Sequence, residues 1–231
     1  MKFVIITHVQ HIKIDNQYFG YAPYIREMNI WLQYVDEVQV IAPLVEGSIN
    51  PIHEKYIHSK LHFIKVPEFE ITSLQNIIKT LFKLPKLFNL VYRAMAQADH
   101  IHLRCPGNMG LVGALVQILF PNKQKTAKYA GNWDPKSKQP WSYRLQKWIL
   151  SNTFLTRNMQ VLVYGEWPNQ TKNIKPFFTA TYGESEIQNS EFRIQNKLSL
   201  PAQSKTTENN FDSAQSDRED NHSLSLRAQS R

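Results

Sequence analysis

The stretch His100-Ile101-His102-Leu103-Arg104-Cys105-Pro106-Gly107-Asn108-Met109-Gly110-Leu111-Val112-Gly113-Ala114 changes period at its centre. From His100 to Arg104 polar and apolar residues alternate with a period of two, the pattern of a strand. A Pro-Gly turn follows, and from Met109 to Phe120 the apolar residues recur at helical spacing. Strand, turn and helix in succession form the unit from which a helix-covered parallel sheet is assembled.

Working outward, further strand-like runs stand at Lys2 to Thr7, Glu37 to Ala42, Leu61 to Val66, Lys125 to Ala130, Gln160 to Tyr164 and Phe177 to Thr181. Helical patterns stand at Pro23 to Tyr34, Ser73 to Gln97 and Pro140 to Thr153. The alternation predicts an α/β fold, a Rossmann-like parallel sheet with flanking helices. Pro23 suits a first helical turn, where its missing N–H costs nothing. Pro85 is expected to kink or split the second helix. Trp141 and Trp148, seven residues apart, are expected to face the core.

With 231 residues, 42% of them hydrophobic, the chain can bury a core. The character changes after Tyr182: residues 183–231 hold only Phe192 and Phe211 as aromatics and repeat themselves, Ser199-Leu200-Pro201-Ala202-Gln203-Ser204 against Ser225-Leu226-Arg227-Ala228-Gln229-Ser230. The expectation is a folded domain over 1–182 and a low-complexity, disordered tail over 183–231. The tail carries six Lys/Arg and eight Asp/Glu, so residues 1–182 carry a net charge of +10, more than the +8 of the whole chain.

The apolar run at Met1 to Thr7 is too short for a signal peptide, and Cys105 stands alone, so no intrachain disulfide can form. Both point to a cytoplasmic chain. Lys79, Lys83, Lys86 and Arg93 follow helical spacing opposite Leu74, Ile78, Leu81 and Phe82, which gives either a solvated face or a peripheral contact with an anionic membrane at the inner surface. No recognition helix or RNP-like strand pair supports nucleic-acid binding. No GxSxG, HExxH or paired-cysteine spacing is present, and His100 and His102 lack a third ligand, so no metal site is expected.

Ligands of an open parallel sheet bind at the carboxyl ends of the strands, which directs attention to four loops. The first, from His8 to Tyr21, holds Asn16 and Gln17, and Gly20-Tyr21 opens a helix whose N–H groups can cradle a phosphate or carboxylate. In the second, Arg104 can clamp an anionic oxygen bidentately ahead of Asn108, or pair with a neighbouring carboxylate. The third gathers Asn132, Trp133 and Asp134, suited to a sugar that stacks on the indole and hydrogen-bonds the amide and carboxylate; Asp134-Pro135 is equally a turn opening. The fourth offers Glu166 beside Trp167.

Five segments together, Thr7-His8-Val9, Asp15 to Tyr24, His102 to Asn108, Lys128 to Asp134 and Phe178 to Tyr182, resemble the N-terminal domain of bacterial family-4-type glycosyltransferases of the GT-B fold. The resemblance covers about four fifths of the chain. It implies transfer of a glycosyl unit from a UDP- or GDP-sugar, as co-substrate, to a saccharide or lipid-linked acceptor, with no further cofactor. It places Gly20 and Tyr21 near the donor phosphates. It places Asn16, Gln17, Arg104, Asn108, Asn132, Trp133 and Glu166 on the acceptor side, and Asp134 as the catalytic candidate. The family continues into a second, donor-binding domain, and the 49 residues after Tyr182 are too few for one. The expectation is therefore a truncated form with little activity by itself, the remnant of an interrupted gene; the competing reading is a non-catalytic α/β module that binds an anionic glycan or a membrane.

Overall fold

The computed structural model describes residues 1–67 and 74–177, the side chains of 74–83 excepted. All of these belong to one compact unit, Met1–Thr181. The expected tail over 183–231, most of the strand expected at Phe177 to Thr181, and the side chains of Lys79 and Lys83 lie outside the described residues.

The strands are β1 (Lys2–Ile6), β2 (His11–Ile14), β3 (Gln17–Tyr21), β4 (Glu37–Val45), β5 (His53–Lys55), β6 (Leu61–Val66), β7 (His100–Cys105), β8 (Gln124–Tyr129), β9 (Met159–Val163) and β10 (Ile174–Pro176). The helices are α1 (Ala22–Leu32), α2 (Leu74–Gln97), α3 (Asn108–Val116) and α4 (Trp141–Ser151). Seven strands pair in parallel in the order β6-β4-β1-β7-β8-β9-β10. Successive strands step outward from β1 to β6, and the next strand, β7, returns to the other side of β1. That reversal is the topological switch point of a doubly wound sheet.

Alternation along the strands assigns the two faces. Val4, Ile6, Ile101, Leu103, Ala127 and Val161 join residues of α2, α3 and α4 in one core. Phe3, Ile5, Val38, Val40 and Ala42 meet Tyr24, Ile25, Met28 and Leu32 of α1 in the other. Helix α3 lies very close to β7: a Cβ at Gly110 would sit 2.8 Å from the Arg104 carbonyl oxygen and 3.0 Å from Cys105 Sγ, and one at Gly113 2.7 Å from Leu103. The two glycines, three apart, form the contact face.

Three expectations change, and one further strand is added. Residues 8–21, read as a loop, contain the antiparallel pair β2–β3, which β5 extends. Asp15 makes the turn at φ 52°, a region that Asp tolerates. The alternation over 11–14 is too short to distinguish from a polar loop. Helix α2 runs unbroken through Pro85, which is exposed, so the carbonyl that loses its helical donor can be solvated. Trp141 and Trp148 are exposed, because Gln146, Ile149 and Leu150 form the buried side of α4. The last described strand is Ile174–Pro176, and its proline is tolerated on an edge strand. Among the described residues no helix is long and apolar enough to cross a membrane.

The β2–β3–β5 layer covers the outer part of the α1 face through rings. His11, fully buried, stacks on Tyr56 at 5.7 Å and meets Phe63 edge-on at 5.2 Å, while Tyr18 stacks on Phe63 at 4.5 Å. Burial holds the His11 pKa down at about 4, and that of His102, also fully buried, at about 3. An unfolded imidazole takes a proton near pH 6.5, so this burial leaves stability intact above that value and withdraws it on acidification. Between pH 7 and pH 5 the loss should be about 2 kcal/mol for each ring, read from urea midpoints. Replacement of Gly110 by Ala should cost about 1–3 kcal/mol at any pH, since the nearest atom is backbone and cannot turn aside.

Candidate functional site

The switch point opens between the ends of β1 and β7, and both ends carry polar residues. Beyond β1, Thr7 is buried, and His8 keeps part of its surface open to solvent. Beyond β7, the cis Cys105–Pro106 bond leads to Gly107 at φ 150°, which a side chain rarely adopts. A Cβ at Gly107 would fall 2.7 Å from His8 Nδ1, so the glycine lets the two loops touch. Partial burial, with the nearby positive charge of Arg104, lowers the His8 pKa despite a hydrogen bond to the Arg104 backbone. His8 is therefore a neutral ring at pH 7, able to give or take one proton.

Arg104 points to the α1 face, its guanidinium 4.5 Å from the centre of the Tyr24 ring. Among the described residues it forms no ion pair, and its buried Nε has no hydrogen-bond partner. Tyr24, fully buried, hydrogen-bonds Thr7, and its hydroxyl lies 3.5 Å from Tyr56 Oη. Burial raises the pKa of both phenols.

In the register of β7 with β8, Arg104 lies opposite Lys128. The two cations thus stand side by side on one face. Lys128 forms a buried ion pair with Glu27 of α1, and its ammonium lies 5.4 Å from the Tyr164 ring centre and 4.8 Å from that of Phe177. Glu27 Oε1 and His102 Nε2 are buried without a hydrogen-bond partner among the described residues. Tyr164, just past β9, keeps 40% of its surface exposed. From β1 to β10 the carboxyl ends of the sheet therefore present an imidazole, a guanidinium without a carboxylate, a neutralised ammonium and an exposed aromatic ring.

Of the residues singled out in the sequence, Arg104 and Asn108 stand at this opening, at the two ends of the β7–α3 turn. The loop after β8 touches them through Ala130, whose N–H donates to the Cys105 carbonyl at 2.6 Å, and Gly131, which abuts Pro106. Within that loop Asn132 Oδ1 accepts from the Asp134 N–H at 2.8 Å, and Asp134 Oδ1 accepts from the Lys136 N–H at 2.8 Å. Both side chains thus shape turns, the alternative reading of Asp134-Pro135. Trp133 is buried edge-on against Tyr129 at 4.9 Å, so it is core and not a stacking plate.

Gly20 is corrected as well: it is buried within β3, paired with His11 and Glu54, and a Cβ there would meet Ile25 at 3.0 Å. Close packing requires it, and the first helical N–H, that of Ala22, donates to the Ile52 carbonyl at 2.8 Å. Tyr21 is half exposed at the start of α1. Asn16 and Gln17 line a separate cleft with His58, Ser59 and Leu61, and Glu166 is exposed beyond β9. Sequence reasoning missed His8, Glu27, Lys128 and Tyr164 as site residues. Two of them had a signal: a lysine in the buried run Ala127-Lys128-Tyr129, and a glutamate between Ile25 and Met28 on an apolar helix face.

No group of three or more His, Cys, Asp or Glu among the described residues could hold a metal ion. Breaking the buried pair by Glu27→Gln leaves an ammonium with no counter-charge, which should cost about 3–5 kcal/mol in chemical denaturation. The double change Glu27→Leu with Lys128→Met should cost less than the single one, because no charge is stranded.

Set beside known proteins, the chain matches no family model and no curated protein sequence.

Proposed function

We propose that the chain is a sugar-nucleotide-dependent glycosyltransferase, moving a glycosyl unit from a UDP- or GDP-sugar to a saccharide or lipid-linked acceptor held at the β1–β7 switch point. The observation that carries this reading is Arg104: a guanidinium at the ligand edge of the sheet, without a carboxylate partner among the described residues and with its buried Nε left unpaired there. Such a group favours a phosphate or sugar-acid oxygen, which it can hold bidentately. Neutral His8 beside it can hydrogen-bond a hydroxyl, and exposed Tyr164 offers a face for a sugar ring. Catalysis in such a site is positioning together with stabilisation of the negative charge that develops on the departing diphosphate.

The alternative, a non-catalytic module for an anionic glycan, draws on the same Arg104 and on one further observation. The Asp134 carboxylate, the catalytic candidate, is committed to a turn. The two readings part on the nucleotide. Calorimetric titration of the full chain with a glycosyl phosphate, which presents the acceptor-side anion, should give binding that Arg104→Ala weakens about 10- to 100-fold, the worth of a hydrogen-bonded charge, and titration with UDP, GDP and their sugar conjugates reads whether a nucleotide enters as well. Binding of an acidic oligosaccharide with no response to any nucleotide would favour the module and sink the transferase.

A further inference from the structure

Helix α4 turns its two tryptophans outward. At 100° per residue Trp141, Arg144 and Trp148 fall within a sector of about 60°, opposite the buried Gln146 and Leu150. Trp141 is 56% exposed and Trp148 60%. Just beyond the helix Phe154 is 72% exposed, and a hydrogen bond from Gln117 Nε2 to the carbonyl of the next residue, Leu155, ties this exit to the turn that carries Leu119, 64% exposed. Single exposed apolar residues are ordinary, but three large exposed rings within one helix and its exit turn are not.

The charges around these rings share one sign. Residues 135–165 contain five Lys/Arg and no Asp/Glu. Next to Phe154 a cleft of about 700 Å³ is lined by Arg157, Lys172 and Lys175 with uncharged amides and hydroxyls, and no carboxylate lines it. Among the described residues none of these three cations forms an ion pair. Lys125 lines the same cleft, its ammonium donating to the Gln117 and Phe120 carbonyls.

We propose that this surface is a membrane-docking face: Trp141, Trp148 and Phe154 enter the interfacial layer of an anionic bilayer, and the Arg157–Lys172–Lys175 cleft takes a lipid phosphate. Rings with one apolar body and one polar edge settle at the headgroup level, and adjacent cations add attraction to anionic lipid. The assignment places the contact on α4, not on the Lys86–Arg93 face of α2, and it does not rest on the glycosyltransferase reading.

Co-sedimentation of the full chain with phosphatidylcholine vesicles, with and without phosphatidylglycerol, tests it. Binding is expected only with phosphatidylglycerol, together with a blue shift of tryptophan emission, and it should weaken as salt is raised. Trp141→Ser with Trp148→Ser should reduce binding at least tenfold with an unchanged thermal melt. Each of Arg157→Glu, Lys172→Glu and Lys175→Glu should reduce it about fivefold or more. Lys86→Glu with Arg93→Glu should leave it within twofold. Absence of binding to phosphatidylglycerol vesicles would overturn the proposal, as would binding indifferent to the tryptophan pair. A wild-type chain that elutes as an oligomer, dissociates in the tryptophan variant and ignores vesicles would overturn it in favour of a second copy as the occupant.

Discussion

The ion pair of Lys128 with Glu27, sealed from water, ties the α1 side of the molecule to the switch point. A charge so placed must have its counter-charge, because the cost of leaving water is recovered only while both are present. That requirement sets the rotation of α1 on the sheet: Glu27 must reach β8, and Tyr24, one turn earlier, then falls under Arg104. The neighbouring cations consequently behave differently. Lys128 is neutralised from within, and Arg104 keeps its charge for whatever enters the opening.

The close approach of α3 to β7 supplies the other half of the opening. With no Cβ at Gly110 or Gly113, the helix sits against the strand, and Gly107 allows the β7–α3 turn to meet His8. Gln146 of α4 then accepts from the Gly107 N–H at 3.3 Å. Backbone contact, not side-chain reach, thus sets the width of the gap between the β1 and β7 loops.

The architecture was legible because period and punctuation agree over long segments. The run from His100 to Ala114 gives β7, the turn and α3, and six of the seven parallel strands fall where the alternation places them, within three residues at either end. The small β2–β3–β5 layer was not legible, since its strands of three to five residues carry too few alternations and pair through contacts distant in sequence. Arg104 was readable from its position at a strand end. Lys128 and Glu27 left only the trace of a charge on an apolar face, and its meaning declares itself only when the partner, 101 residues away, comes into view. Trp133 and the pair Trp141 and Trp148 were read with their environments exchanged. Aromatic type marks a large surface without saying whether protein or solvent meets it, and here the amide of Gln146 takes the inner face of α4 that a tryptophan would be expected to fill.

Helix α4 joins the two surfaces. Its inner side holds the loops of the opening: Gln146 binds the Gly107 N–H, and Lys147 donates to the Trp133 and Asp134 carbonyls at 2.9 and 3.0 Å. Its outer side carries the exposed indoles. Whatever meets those indoles is separated from the β7 and β8 loops by roughly one helix diameter, about 10 Å. A bilayer at that face would therefore lie within reach of an acceptor whose polar head occupies the opening while its lipid stays in the membrane, and the hydrogen bonds of Gln146 and Lys147 would hold the loops at a fixed height above it. A soluble acceptor gains nothing from that arrangement. On the proposed reading of the site, a bilayer docked at α4 would thus favour, of the two acceptor classes, the lipid-linked one.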